Sequence, residues 1–192
     1  MRLLSKFTKL KTLNLEYCPG LSDYNIILLI YLNNLENLNL EGNITLTDRS
    51  IGQISILSNL KYLNLGKLNI IDWNLFIVSG LTCVETLILD RSGNISDHGI
   101  SHLSNLTNLT DLSILNMENI TKRSLSTITE KLNLKRLNLS GCHNIKDDFI
   151  KLLIFLNNLN YLNISKTGIT DKGYEKLKTY YYNKHQKIKI IF

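Results

Sequence analysis

The stretch of residues 134–147, LKRLNLSGCHNIKD, contains the pattern that decides the fold. It opens with an apolar residue, two variable residues, an apolar residue, one variable residue and a third apolar residue. The alternation over the last three positions is the period of a β-strand whose leucines turn into a core. Each copy of the pattern therefore predicts a short strand. Copies recur at intervals of 25 or, once, 24 residues, and they open at Leu10, Leu35, Leu60, Val84, Leu109, Leu134 and Leu159.

A helix start follows the predicted strand in most copies. Ser or Thr followed by Asp is typical of a helix N-terminus, because the hydroxyl accepts from a free backbone N–H and the carboxylate faces the positive end of the helix. Apolar residues three or four positions apart come next and predict a helix with one buried face. Such starts occur at Ser22-Asp23, Thr47-Asp48, Ser96-Asp97 and Thr170-Asp171.

A single strand–turn–helix unit cannot cover its own apolar faces, whereas stacked copies cover them continuously. We therefore predict an α/β solenoid with short parallel strands on the concave face and helices on the convex face. Residues 1–192 are expected to form one domain of about seven repeats of 24–25 residues. Residues 187–192 alternate like a strand and are predicted to cap the last repeat. Residues 1–9 either form a minimal cap or continue from a longer protein.

The repeats resemble those of leucine-rich repeat proteins, most closely the cysteine-containing subclass found in F-box proteins. Residues 10–23 and 134–147 carry the resemblance, and only Cys18 and Cys142 stand at the position that the subclass gives to cysteine. The resemblance implies a right-handed α/β superhelix that binds a protein partner on its concave face, as substrate receptor or adaptor of a ubiquitin ligase. An F-box would need a helical module before the repeats, where this sequence has nine residues.

Composition narrows the classes of protein that the sequence can represent. The chain has 192 residues, 44% of them hydrophobic, so it can bury a core. The longest apolar run, residues 26–32, is far shorter than the roughly 20 residues of a membrane helix. Residues 1–10 lack the continuous apolar run of a secretory signal, and three cysteines cannot all pair within one chain. We therefore expect reduced thiols and a cytoplasmic location.

Outward side chains of the predicted strands form columns about 4.8 Å apart across the concave face. Most columns are polar and rich in Asn. Tyr62, Ile88 and Leu115 step one repeat across and two residues along, so they form an apolar diagonal with roughly 8 Å between neighbours. We interpret this diagonal as a docking surface. The alternative is that these are scattered exposed apolar residues without a function.

Charged and aromatic side chains flank the diagonal. Asp111 and Arg136 are lateral neighbours, which either contact a partner or pair with each other. Glu16 and Glu41 are neighbours of like charge, which form a solvated acidic rim unless a cation or a basic partner residue lies between them. The residues predicted to bind the partner are Tyr62, Ile88, Leu115, Glu41, Asp90, Asp111, Arg136 and Tyr161.

The C-terminal part of the chain is basic and offers a different function. Residues 122–192 contain 14 basic and 5 acidic side chains, whereas residues 1–121 contain 8 and 11. Tyr180, Tyr181 and Tyr182 precede Lys184, Lys187 and Lys189, a mixture that can bind nucleic acid or an anionic membrane. Because charge alone is an unspecific signal, we favour the alternative that this segment is a solvated cap.

Motifs for catalysis and metal binding are missing from the sequence. His98 and His102 are four residues apart, but they lack the glutamate of a zinc-protease helix and an evident third ligand. No glycine-rich phosphate loop is present, and no cysteine stands beside a plausible histidine base. We expect a monomeric, non-catalytic protein-binding module without metal, cofactor or small-molecule substrate.

Overall fold

The computed structural model of the protein describes residues 6–192 and contains one sheet of eight parallel strands in chain order. Each strand is three residues long, and each pairs with the strand of the next repeat. The strands are β1 (Thr12–Asn14), β2 (Asn37–Asn39), β3 (Tyr62–Asn64), β4 (Thr86–Ile88), β5 (Asp111–Ser113), β6 (Arg136–Asn138), β7 (Tyr161–Asn163) and β8 (Lys189–Ile191).

Within residues 6–192, seven α-helices alternate with the strands. Short 3₁₀ segments, Ile27–Tyr31, Leu103–Asn105 and Asp147–Phe149, extend or precede three of them. The helices are α1 (Asp23–Ile26), α2 (Asp48–Ile54), α3 (Asp72–Val78), α4 (Asp97–His102), α5 (Lys122–Lys131), α6 (Ile150–Leu153) and α7 (Asp171–Asn183). The four helix starts predicted from Ser or Thr followed by Asp are all present.

The core lies between the sheet and the row of helices. The central residue of every strand stands opposite its counterpart in the next strand, which stacks Leu63, Leu87 and Leu112 side by side. These leucines and the inward residues of the helices, such as Ile51 and Ile100, are buried. Burying one such side chain stabilises the fold by about 1.5–3 kcal/mol, and stacking extends one core along the whole array. The predicted α/β solenoid is confirmed.

A left-handed residue ends each strand segment, seven positions after the opening residue. At these positions φ lies between 47° and 76°, a conformation that costs about 1–2 kcal/mol for residues other than glycine. The N–H of Lys67, for example, still donates to the carbonyl of Asp90 in the next repeat, at 2.7 Å. The turn therefore continues the hydrogen bonding of the sheet. The left-handed residues are Tyr17, Gly42, Lys67, Arg91, Asn116, Gly141 and Lys166.

Aspartates at the helix starts link neighbouring repeats. At four of these aspartates the carboxylate accepts from the backbone N–H and the hydroxyl of the Ser or Thr that begins the next helix, at 2.7–3.0 Å and 2.5–2.7 Å. We call these contacts the aspartate ladder. Its four links are Asp23 to Thr47, Asp72 to Ser96, Asp97 to Thr121 and Asp147 to Thr170.

The end of the chain packs onto the last repeat. Tyr181 of α7 is buried, and its hydroxyl donates to the carbonyl of Leu153 at 2.8 Å. The ring of Phe192, beyond β8, stacks on Tyr174 with 4.6 Å between ring centroids. Part of the cap expected over residues 1–9 lies outside the described residues. Among residues 6–192, no helix has the length and hydropathy needed to cross a membrane.

Candidate functional site

The sheet places the predicted apolar diagonal on one continuous surface. Ile88 stands opposite Asn64 of β3 and Ser113 of β5, and Leu115 follows two residues after Ser113. Tyr62, Ile88 and Leu115 are each partly exposed. They are therefore accessible from solvent, although their neighbours cover much of each side chain.

Arg136 is held between an acidic and an aromatic neighbour on adjacent strands. Its Nε lies 2.8 Å from Oδ1 of Asp111, and its guanidinium lies 4.3 Å from the centre of the Tyr161 ring. Burial raises the pKa of Asp111 above its ordinary value, although Arg136 acts in the opposite direction. The predicted pairing of Asp111 with Arg136 thus occurs, and Tyr161 fixes the plane of the guanidinium.

A depression of about 280 Å³ opens on the concave face at this position. Strands β4 to β7 form its floor, where the central leucines of three strands lie. Its lining combines polar and apolar residues, which suits a side chain of a protein partner. Four of the predicted residues line the depression: Ile88, Asp111, Arg136 and Tyr161.

Glu41 already has a basic partner within the chain. Lys67 lies 2.5 Å from its Oε1, and Asn64 donates to its Oε2 at 3.1 Å. The hydrogen bond from Lys67 holds the pKa of Glu41 below its ordinary value despite partial burial. Glu41 is therefore not part of a purely solvated acidic rim, because Lys67, which the sequence analysis did not identify, pairs with it.

Asp90 is likewise occupied by its neighbours. Its Oδ1 accepts from the Ser113 hydroxyl at 2.5 Å and from the Leu115 N–H at 2.9 Å. These two contacts hold the turn that carries Leu115. Of the predicted residues, Asp90 and Glu41 therefore support the surface, while Ile88, Leu115 and Arg136 present free atoms to a partner.

Comparison of the sequence with protein-family models and with characterised proteins finds no match. Solved structures do match, on the basis of the stacked strand–turn–helix units. The chain has a leucine-rich repeat fold. An internalin (inlF) from Listeria monocytogenes matches 98% of the chain with a TM-score of 0.62 and 21% sequence identity, and the chain spans 62% of that protein. Internalin C2 from the same bacterium matches 86% of the chain with a TM-score of 0.55 and 23% identity, and the chain spans 76% of it.

These structural relatives are leucine-rich repeat proteins, but they do not confirm the F-box subclass. The buried thiol of Cys142 donates to the carbonyl of Ile114 at 3.1 Å. Asn43 stands at the same repeat position and donates to the carbonyl of Leu15 at 2.8 Å. Cysteine and asparagine thus make the same kind of contact at this position, while Leu68 and Met117 are buried there without a donor, so cysteine here is not specific to one subclass.

Several apolar side chains on or beside the helices are exposed, which the sequence analysis did not predict. Ile27, Ile56, Trp73 and Phe76 are between 39% and 57% exposed, more than the residues of the diagonal, and the rings of Trp73 and Phe76 stack at 4.9 Å. In the sequence of each helical segment, these exposed residues alternate with residues of the buried face. The signal for them is present in the sequence, because the apolar residues that fall outside the three- or four-residue spacing of the buried face are the exposed ones.

The basic end presents fewer free aromatic rings than its sequence suggests. Tyr181 is buried, and Tyr180 is partly buried beside it with the Lys184 ammonium 5.8 Å from its ring centre. Tyr182 is 81% exposed and is the free ring of the three. The described residues thus offer one tyrosine of this run for stacking on a base.

Proposed function

We propose that the chain is a single leucine-rich repeat domain of about seven repeats, capped by residues 187–192, that binds a protein partner on its concave face. The observation that carries the proposal is the depression lined by Ile88, Asp111, Arg136 and Tyr161, next to Leu115. Protein interfaces combine an apolar centre with aromatic and Arg side chains, and this surface has that composition. The paired strands fix these side chains, so little conformational entropy is lost on binding.

Binding of this kind is tested with random dodecapeptides displayed on phage and selected against the immobilised chain. The selected peptides are then titrated against Ile88→Ser/Leu115→Ser and against a matched pair on the helix face, Ile27→Ser/Ile56→Ser. We expect the concave pair to weaken binding by at least about tenfold, which is about 1.4 kcal/mol, and the control pair by less than about twofold. Equal binding by the wild type and the concave pair would contradict the proposal.

Nucleic-acid or anionic-membrane binding is the second candidate, favoured by the excess of basic residues over 122–192. Electrostatic binding of this kind weakens steeply with salt. Elution from heparin or DNA at low salt, unchanged by Lys184→Gln/Lys187→Gln/Lys189→Gln, would count against this candidate. The single free tyrosine of the run is a weaker stacking platform than the sequence suggested.

A narrower role as substrate receptor or adaptor of a ubiquitin ligase rests on the resemblance through Cys18 and Cys142. Since Asn43 makes the same kind of contact as Cys142, the structural argument supports partner binding and adds nothing for a ligase. The monomeric state, the cytoplasmic location and the absence of catalysis, cofactor and metal stay predictions. Size-exclusion chromatography with light scattering measures the first of them directly.

A further inference from the structure

We infer that the depression around Arg136 binds the carboxylate of an Asp or Glu side chain from the protein partner. The inference rests on the proposed function and names the chemistry of the partner at one position. It follows from the unused donors of Arg136, from the local charge and from the apolar side chains beside it.

Arg136 has hydrogen-bonding capacity that the chain itself does not use. The ion pair with Asp111 engages Nε, and a guanidinium carries four further N–H donors on its two Nη atoms. None of residues 6–192 accepts a hydrogen bond from these Nη groups, and 52% of the side chain is exposed. The Tyr161 ring, 4.3 Å away, keeps the guanidinium plane in place. A second carboxylate can thus dock without reorganising the arginine.

Neighbouring polar groups leave Arg136 as the principal donor of the depression. The Ser113 hydroxyl donates to Asp90 at 2.5 Å, and the Asn138 amide donates to Ser113 at 2.9 Å. The hydroxyl hydrogen of Ser113 and one amide hydrogen of Asn138 are therefore directed to the preceding repeat rather than to an incoming group. An acceptor that enters the depression meets the guanidinium as its strongest partner.

The charge on the concave face is more favourable to an anion at Arg136 than at the earlier repeats. Around the depression, the positive charges of Arg136 and Lys135 stand against two carboxylates, those of Asp111 and of Asp90, which accepts a hydrogen bond from the lining residue Ser113. The local formal charges therefore balance. In the earlier repeats Glu16 and Glu41 outnumber the one ammonium of Lys67, which pairs with Glu41. Charge complementarity therefore places an acidic partner residue over Arg136 rather than over the earlier repeats.

Apolar contacts beside Arg136 define the rest of the partner residue pattern. Ile88 also lines the depression, two strands across and two residues along from Arg136, which corresponds to roughly 12 Å. Leu115 belongs to the repeat between them and lies two residues beyond β5. The partner segment should therefore present an apolar side chain about 12 Å from its carboxylate.

The phage-selected dodecapeptides provide the probe. We compare Arg136→Gln with Arg123→Gln, because both variants remove one positive charge and Arg123 lies on α5, away from the concave face. We expect the selected peptides to be enriched in Asp or Glu, Arg136→Gln to weaken their binding by at least about tenfold, and Arg123→Gln to leave it within about twofold. Replacing the peptide's acidic residue by its amide should weaken binding to the wild type equally, but should not weaken binding to Arg136→Gln any further.

A third variant is expected to bind acidic peptides more tightly, a result that would not follow if the Asp111–Arg136 ion pair had only a structural role. Asp111→Asn removes the carboxylate that competes for Arg136, so acidic peptides should bind several-fold tighter. Circular dichroism melts confirm that each variant is folded.

Equal losses for Arg136→Gln and Arg123→Gln would assign the effect to net charge and overturn the inference. Weaker binding by Asp111→Asn, or a selection that yields no peptide sensitive to Arg136→Gln, would overturn it as well. If Ile88→Ser/Leu115→Ser abolishes binding while Arg136→Gln does not, the carboxylate site is wrong and the concave binding face stands. If neither variant alters binding, both proposals are wrong.

Discussion

Small residues occupy the third helical position wherever the aspartate ladder crosses from one repeat to the next. A Cβ added to Gly99 would lie 2.3 Å from Oδ1 of Asp72, and one added to Gly173 would lie 2.2 Å from Oδ1 of Asp147. At the other two links Ser50 and Ser124 donate their hydroxyls to the aspartate. The aspartate ladder therefore restricts the size of the residue at the third helical position.

Gly99→Ala should destabilise the fold by about 1–3 kcal/mol, because the new methyl group overlaps the carboxylate of Asp72. Gly52→Ala is the matched control, since a Cβ there meets nothing within 4 Å and alanine favours the helix by up to about 1 kcal/mol. Urea unfolding curves of both variants check this difference. Equal stability of the two variants would show that the ladder does not restrict residue size.

At the scale of elements, the ladder depends on the residue pair at each junction between repeats. Asp97 accepts from Thr121 and Ser124 of the next repeat. Asp48 occupies the same helical position, but the next helix begins after Ile71, which has no hydroxyl. The two aspartates thus occupy equivalent positions in their own helices, and they differ in whether the next repeat offers a hydroxyl to accept from.

Asp97→Ala should destabilise the protein by about 2–3 kcal/mol, because it leaves partly buried donors of α5 without an acceptor. Asp48→Ala should cost less than about 1 kcal/mol, the contribution of a carboxylate at a helix N-terminus. Thermal and urea unfolding of the two variants measure both values. A loss at Asp48 as large as that at Asp97 would contradict the role of the ladder.

The ladder also predicts how stability depends on pH. Hydrogen bonds from Thr170 lower the pKa of Asp147, and at Asp23 and Asp97 the bonds from the next repeat outweigh burial, which alone would raise the pKa. A folded-state pKa below the unfolded value means that this stabilisation is present above about pH 4 and is lost as the pH falls through the folded value. The stability difference between wild type and Asp97→Ala should therefore shrink below about pH 4. A constant difference down to about pH 2 would be the contrary result.

Across the whole molecule, the 25-residue period made the sheet predictable. Because the period fixes the register, it placed Ile88 opposite Ser113 and Arg136 beside Asp111. The period did not predict which charged residues already have a partner within the chain. Lys67, which pairs with Glu41, is a left-handed turn residue and does not belong to the outward positions of the strands. The left-handed turns could not be predicted either, because lysine and arginine occupy several of them instead of the glycine that favours this conformation.

The exposed apolar residues of the helices were not predicted, unlike the outward residues of the strands. Strand columns follow from a period of two, whereas a helix surface mixes exposed and buried apolar residues within one short segment. Ile27 and Ile56 stand next to residues of the predicted apolar faces, Ile26 and Leu57, and both are exposed. The concave face and the exposed apolar side chains of the helices are thus two candidate surfaces for a partner, and we propose the concave one.

Methyl NMR of the chain in complex with a selected peptide locates the bound partner directly. Isoleucine and leucine methyl groups are labelled, and their chemical shifts are followed as the peptide is added. We predict that the shifts of Ile88 and Leu115 change while those of Ile27 and Ile56 stay constant. Changes at Ile27 and Ile56 with Ile88 and Leu115 unaffected would place the partner on the helices and contradict binding at the concave face.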